Sequence, residues 1–494
     1  MDDFLERVSL FGSRIAIRDP EGFYTYQDLT DASARVATGL CSDDKSPQES
    51  RIAFLISPSF RYVSVQWGIW RAGGIAVPLC VDHPVPAIAH VLRDAQVSKV
   101  IVTEDRKDFL KELCEELEIP MASYTALTRN ESGHLPSIPR EGRAMILYTS
   151  GTTGSPKGVV TTHANILAQI TTLVDAWGWQ KSDHILNILP LHHVHGIINV
   201  LSCALWSGAC CEFLKGFSAM GVWQTFQMGF VNVFMAVPTV YFKLIAFWES
   251  CTQLEQVKMS SALQHFRLMV SGSAALPVSV LEKWKLISGQ TLLERYGMTE
   301  IGMALSNSYL DKRIPGYVGK PLPKVEVRLM NEEGLVEREN VAGEIQIKGP
   351  SVFKEYWNRI PETDKAFTKD KWFKTGDIAK IYNGYYQIMG RDSVDIIKSG
   401  GYKISALQIE EVIRKNQVVS DCAVVGIEDE EWGEIVAAAI TSAEVGLDFS
   451  NLKEWLKERL PPYQVPRKYL QVENLPRNTI GKVTKKAVKE LFVS

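Results

Sequence analysis

Short apolar runs alternate with helical patterns through roughly the first 300 residues, and this alternation constrains the fold more than any other feature of the chain. Residues 145–149 (MILYT) and 231–237 (VNVFMAV) read as buried strands. Between them Ile166, Leu167, Ile170, Leu173, Val174 and Trp177 recur at helical spacing. Such alternation predicts an α/β class, with sheets covered by helices. Residues 343–349 (GEIQIKG) alternate with period two, the signature of a half-exposed strand. From about Gly390 the pattern changes. Residues 406–416 and 451–460 read as amphipathic helices, 420–427 and 434–441 as strands, and 461–472 as a proline-punctuated loop into a strand. At 494 residues the chain is too long for one compact core. The expected organisation is a large N-terminal domain over 1–390, a short join near 390–395 that must serve as any hinge, and a small α+β domain over 395–494.

A net charge of −3 excludes nucleic acid and anionic membranes as main partners. The most apolar stretches, 197–211 and 230–248, are interrupted by Asn199, Ser202 and Gly208, and by Asn232, Pro238 and Lys243. They read as buried segments, not as membrane spans. The opening MDDFLERVSLFGSRIAI is acidic at its start and lacks a long apolar core, so the expected location is cytoplasmic, or mitochondrial if a leader has been removed. Eight cysteines contain no CxxC pair and no Cys/His cluster of zinc-ligand spacing, which predicts reduced thiols. The partners expected are small molecules, with no obligate protein partner.

Residues 148–160 (YTSGTTGSPKGVV) pack glycines, hydroxyls and a lysine like a phosphate cradle. Small residues let backbone N–H groups approach an anion closely, and Lys157 supplies charge. Gly158 stands where a Walker A loop carries the magnesium-binding Ser or Thr. The residues that follow are strand-like first and helical only after Thr162, so a magnesium ligand must lie elsewhere.

Further along come YGMTE (296–300), TGD (375–377), GRDSVDIIKSGGYKIS (390–405) and PRNTIGKVTKK (476–486). In that order the five motifs resemble the adenylate-forming superfamily of acyl-CoA synthetases, luciferases and adenylation domains, over roughly 20 to 490. The resemblance implies an enzyme that joins a carboxylate to ATP and passes the acyl group to a thiol, here coenzyme A. It implies that Thr149, Ser150, Gly151, Thr152, Thr153, Gly154 and Lys157 hold the β- and γ-phosphates, that Glu300 ligates Mg2+, and that Thr299 touches the α-phosphate. Tyr296 and Gly297 would sit at adenine beside the backbone of Gly272, Ser273, Ala274 and Ala275. Asp377 and Arg391 would take the ribose, and Lys482 would bridge substrate carboxylate and α-phosphate. The other basic residues near Lys482, namely Arg477, Lys485, Lys486 and Lys489, read as a solvated face.

The acid pocket is expected among 189–201, 234–244 and 266–277. Arg267 precedes an apolar run, and a buried guanidinium needs a partner that a second substrate carboxylate would supply. These segments resemble malonyl-CoA synthetases, which implies malonate or methylmalonate as the acid. Arg267 would bind the distal carboxylate with His195 and Ser271, and Met298 would close the pocket. Lys398, Gly400 and Gly401 would line the path of the pantetheine arm. The resemblance also implies a β-subdomain in the large domain and a small domain mobile about a hinge at 391–394, and the chain departs from the family pattern at Ser393, where Asp or Lys usually marks that hinge. A short- or medium-chain or aryl acid as substrate, and a silent nucleotide-binding regulator, remain open alternatives.

Overall fold

A computed structural model describes residues 2–41, 47–131, 133–149, 156–400, 402–444, 446–478 and 481–492. Two large sheets form the N-terminal body. One has seven strands in the order Glu355–Tyr356, Lys157–Thr162, Arg143–Thr149, Ile75–Pro78, Arg51–Leu55, Lys99–Val102 and Met121–Ser123, parallel from Arg143–Thr149 onward. The other has nine, and its centre is a parallel set of Leu293–Met298, Leu268–Ser271, Val233–Ala236, His184–Asn187, Cys210–Phe213 and Ile15–Asp19. The sequences IAVP, VFMA and LMVS are apolar on both faces because helices or the facing sheet cover both. One core cluster holds Phe54, Met145 and Leu147 from the first sheet with Ile185, Val233 and Val270 from the second.

The segment after the phosphate motif folds as its pattern predicts. Strand Lys157–Thr162 runs antiparallel to Arg143–Thr149, and helix His163–Ala176 follows at once. Thr162 starts that helix with a reciprocal cap, its hydroxyl accepting from Asn165 N while the Asn165 side chain accepts from Thr162 N. The apolar stretch after His195 forms a π-helix, His195–Ser202, a geometry frequent at functional sites.

A five-stranded antiparallel sheet over 326–391 forms the β-subdomain and ends in the hairpin Phe373–Tyr382 and Tyr385–Arg391. The chain then turns: Asp392 N donates to Gly376 O, and Val394 N and Asp395 N both donate to Arg391 O. Ser393 lies in this turn. Beyond it, strands Ile396–Ser399, Tyr402–Ser405, Asp421–Asp429, Gly433–Thr441 and Lys468–Gln471 build the last sheet, packed by helices Ala406–Ile413 and Phe449–Lys457.

The basic C-terminal run is not uniformly solvated. Lys485 is buried, pairs with Glu410 and donates to Val424 O at 2.6 Å. Arg477 reaches Asp421, which also accepts from Arg414 at 3.1 Å. These ion pairs tie the 476–486 segment to the small domain's sheet.

Candidate functional site

In parallel sheets ligands gather at the carboxyl ends of the strands, where loops diverge. Here Thr149 ends one such strand, and Ser271, Met298 and Ala236 end three others. Thr149, and Thr299 and Glu300 just past Met298, lie at these ends, whereas Asp377 and Arg391 come from the antiparallel hairpin of the β-subdomain. Thr149 pairs in register with Lys157, so both edges of the phosphate loop are held by one hairpin. Ser150, Gly151, Thr152, Thr153 and Gly154 lie outside the described residues, as does Gly401.

Lys157 Nζ stands 5.5 Å from the centroid of the Tyr356 ring, and Tyr356 OH donates to Glu300 Oε1 at 2.9 Å. Glu300 is buried, and burial holds its carboxyl above the ordinary range. A buried carboxylate of this kind favours a cation. Asp377 joins the same group. It accepts from Tyr296 OH at 2.6 Å through Oδ2 and from Arg391 Nε at 3.0 Å through Oδ1. Arg391 and Asp377 are register partners across the hairpin, which fixes that ion pair by backbone pairing. Thr299 lies in the turn between strands Leu293–Met298 and Gly302–Ser306. Folding therefore brings Lys157, Tyr296, Glu300, Asp377 and Arg391 together from four motifs. Tyr356, which completes the group, was not legible in sequence because it lies outside every motif.

A second group forms next to the first. His195 Nδ1 lies 3.1 Å from Ser273 Oγ, and Arg295 Nη2 donates to the same oxygen at 3.4 Å. His195 and Arg295 are both buried. His195 Nε2 and Arg295 Nε have no hydrogen-bond partner. No carboxylate among the described residues pairs with Arg295, and burial lowers its pKa to about 9. Burial, then the nearby Arg295 charge, keeps His195 neutral. Ser273 adopts a left-handed backbone at φ 69°, strain of the kind stored at functional sites. Gly272 leaves room for this guanidinium: a Cβ there would fall 2.5 Å from Arg295 Cζ and would displace it.

Arg295 lies outside the motifs and the acid-pocket segments. The available signal was a charged residue directly before YGMTE, in a strand whose neighbours Leu292 and Leu293 are fully apolar. Ser271 and Met298 do not join this group. Ser271 shares strand parity with Met269, which packs in the core of Leu186 and Phe234, whereas Val270 packs in the core of Leu293. Met298 packs with Tyr296 against the β-subdomain core.

Arg267 requires a correction. Its Nε and Nη2 donate to Asp183 Oδ1 and Oδ2 at 2.6 and 2.5 Å, its Nη1 donates to Trp177 O at 3.1 Å, and its guanidinium lies over Tyr309. Arg267 and Asp183 precede the parallel strands Leu268–Ser271 and His184–Asn187, at the end opposite His195 and Gly272. The partner that a buried guanidinium needs is supplied by the protein itself. The Arg267→Ala variant is thus expected to lose about 3–5 kcal/mol of stability, because Asp183 is left buried and unpaired. Its KM for the acid should not change. Denaturant unfolding with acid kinetics checks both, and a stable variant with selective loss of acid use would contradict the assignment.

The small domain touches the large one at Gly481 and at Glu411, whose carboxylate accepts from Val278 N at 3.3 Å. Gly481, at φ +78°, lies against Thr239, at the start of helix Pro238–Ser250. A Cβ on Gly481 would fall 2.8 Å from Thr239 Oγ1, so this approach needs glycine twice over. Lys482 follows it and is exposed, and its N donates to Asn478 Oδ1 at 2.9 Å. Lys398 and Gly400 lie elsewhere on the small domain, Lys398 near Asp392 at 3.6 Å and Gly400 against the Trp432 ring.

Residues 4–357 match the family described as AMP-binding enzyme, and residues 408–482 match the AMP-binding enzyme C-terminal domain. The chain is 44% identical to "Malonate--CoA ligase ACSF3, mitochondrial" of Xenopus laevis, over 97% of this chain and 90% of that protein. It is 44% identical to the Homo sapiens protein of the same description, over 98% and 91%. Among solved structures it is similar to ATP-bound MatB from Rhodopseudomonas palustris, with a TM-score of 0.90, 29% identity and 99% of each chain covered. Among the described residues no helix is long and apolar enough to cross a membrane.

Proposed function

The chain belongs to the AMP-binding enzyme family, and from that premise we propose that it is an ATP-dependent ligase joining malonate to coenzyme A, with AMP and pyrophosphate as the other products. In the first half-reaction a malonate carboxylate oxygen attacks the α-phosphorus of ATP. The bond to pyrophosphate breaks and malonyl-adenylate forms. In the second, the thiolate sulfur of coenzyme A attacks the acyl carbon and AMP leaves.

The difficulty of the first step is that an anion attacks an anion. Positive charge placed where negative charge accumulates is the remedy. Lys157 supplies it at the phosphate loop, with Thr149 and residues 150–154 around the departing tail. Lys482 supplies it between the attacking carboxylate and the α-phosphate. Thr299 contacts the α-phosphate. Asp377, oriented by Arg391, accepts from the ribose hydroxyls, and Tyr296 packs on adenine beside Gly297 and the backbone of 272–275.

Glu300 fits Mg2+, because a hard cation held by one carboxylate and substrate phosphates needs no larger protein cage. When bound, the ion would neutralise phosphate charge. Tyr356 keeps the Glu300 carboxylate oriented. Lys398 and Gly400, with Gly401, would border the thiol's path once the small domain, taken as 395–494, turns about 391–394.

One observation carries the choice of acid: Arg295 is a buried guanidinium with no acidic partner among the described residues, set beside the neutral His195. A dicarboxylate supplies the missing anion and a monocarboxylate does not. Ser273 positions both side chains. The test is a panel of malonate, methylmalonate, butyrate and cinnamate with ATP, Mg2+ and coenzyme A, reading AMP and pyrophosphate. Malonate is expected to give the highest kcat/KM. A monocarboxylate that runs faster would overturn this reading, and free phosphate in place of pyrophosphate would overturn the reaction class.

A further inference from the structure

We propose that Cys80, His83 and His192 form a binding site for a borderline-soft transition cation, Zn2+ foremost, separate from the magnesium site at Glu300. Cys80 and His83 follow strand Ile75–Pro78 of the seven-stranded sheet, and His83 N donates to Cys80 O at 3.3 Å. His192 arrives from the nine-stranded sheet, in the turn after strand His184–Asn187. No linear spacing announces the set, because folding alone brings the third residue in. One ligand atom from each of the three lies within 4.8 Å of the other two. Among the described residues this is the one grouping of three or more His, Cys, Asp or Glu so arranged.

Around a tetrahedral zinc, with bonds of about 2.3 Å to sulfur and about 2.0–2.1 Å to nitrogen, ligand atoms stand roughly 3.3–3.7 Å apart. Small rotations of the two half-buried imidazoles close the difference. The donor set decides the class of ion: one thiolate and two imidazoles suit zinc or cuprous copper and do not suit Mg2+ or Ca2+, which take oxygen. Three protein ligands leave one position open. Cys80 is buried, whereas His83 and His192 are half-buried, so an ion has an approach from solvent.

The His193 ring lies 4.1 Å from that of His192, tilted by 47°, and the His83 ring lies 5.7 Å from the same His192 ring. On binding, the Cys80 thiol proton passes to solvent and sulfur gives the metal its electron pair. His192 lies in the turn that leads into the π-helix opened by His195, so an ion there would clamp the entry to that helix.

The full chain is stripped with EDTA, loaded with Zn2+ alone, freed of excess by gel filtration and assayed for metal by mass spectrometry. Wild type is expected to retain one zinc per chain, and His83→Asn to lower the affinity at least about tenfold. Cys41→Ser, in a half-exposed thiol away from the set, should retain it. Loading with Co2+ reads the thiolate directly: a sulfur-to-cobalt charge-transfer band is expected in wild type and lost in Cys80→Ser. Wild type without retained zinc, undiminished affinity in His83→Asn, or a cobalt complex without the sulfur band would each overturn the site, whether or not Cys80→Ser folds.

Discussion

Replacing Arg295 with methionine is expected to lower kcat/KM for malonate by about 30- to 5,000-fold, the range for removing one partner of a buried charge pair, about 2–5 kcal/mol. The KM for ATP should stay within about twofold, because Arg295 belongs to the His195–Ser273 group and not to the Glu300–Asp377 group. Methionine keeps an unbranched apolar stem in the same slot. Use of butyrate is expected to rise, since the pocket no longer presents an unpaired cation to an apolar end. Stability should hold or increase, because an isolated buried charge is itself unfavourable. That sign is opposite to the loss expected for Arg267→Ala, whose guanidinium is already paired within the protein. Steady-state kinetics on both acids, with thermal melts of both variants, separate the two arginines. Equal loss of malonate and butyrate activity in Arg295→Met would show that the residue serves folding or nucleotide binding instead.

The second large effect is expected at Lys482. Its alanine variant should adenylate malonate about 100- to 1,000-fold more slowly, the usual loss when one preorganised charge-stabilising donor is removed. Thioester formation from supplied malonyl-adenylate should survive, because that half-reaction does not bring carboxylate and triphosphate together. The geometry supports this division. Gly481 rests on Thr239, at the start of helix Pro238–Ser250, so a rotation of the small domain would break the contact next to Lys482. Pyrophosphate exchange measures the first half-reaction, and acyl transfer to coenzyme A from the adenylate measures the second. An equal fall in both would contradict a role confined to adenylation.

Most of the architecture was legible in the residues because its signals are local. The strand at 145–149, the delayed helix after Thr162 and the β-subdomain strand at 343–348 follow from periodicity and capping. The clustering of Tyr296, Glu300, Asp377 and Arg391, proposed as the nucleotide side, was legible for another reason: they lie in short motifs whose order survives folding. On the proposed acid side, the reading of Arg267 as a guanidinium awaiting a partner did not hold. Arg267 and Arg295 both border apolar runs, and linear context cannot say which one meets a carboxylate of the protein. Asp183, distant in sequence, settles it through strand register: Val233 pairs with both Leu268 and Ile185, which places the residues preceding those strands at one end of the sheet. Tyr356, Thr239 and the cysteine–histidine set were hidden in the same way, each brought in by long-range pairing. The basic C-terminal run misled in the reverse direction, since Lys485 is buried by Glu410 on a helix far upstream.

The most direct measurement is a crystal structure of the protein with malonate, Mg2+ and a non-hydrolysable ATP analogue. The distal carboxylate is expected within hydrogen-bond distance of the Arg295 guanidinium and His195, with Arg267 still paired to Asp183. A distal carboxylate turned away from Arg295, or an Arg295 paired to a protein carboxylate in that complex, would contradict the account.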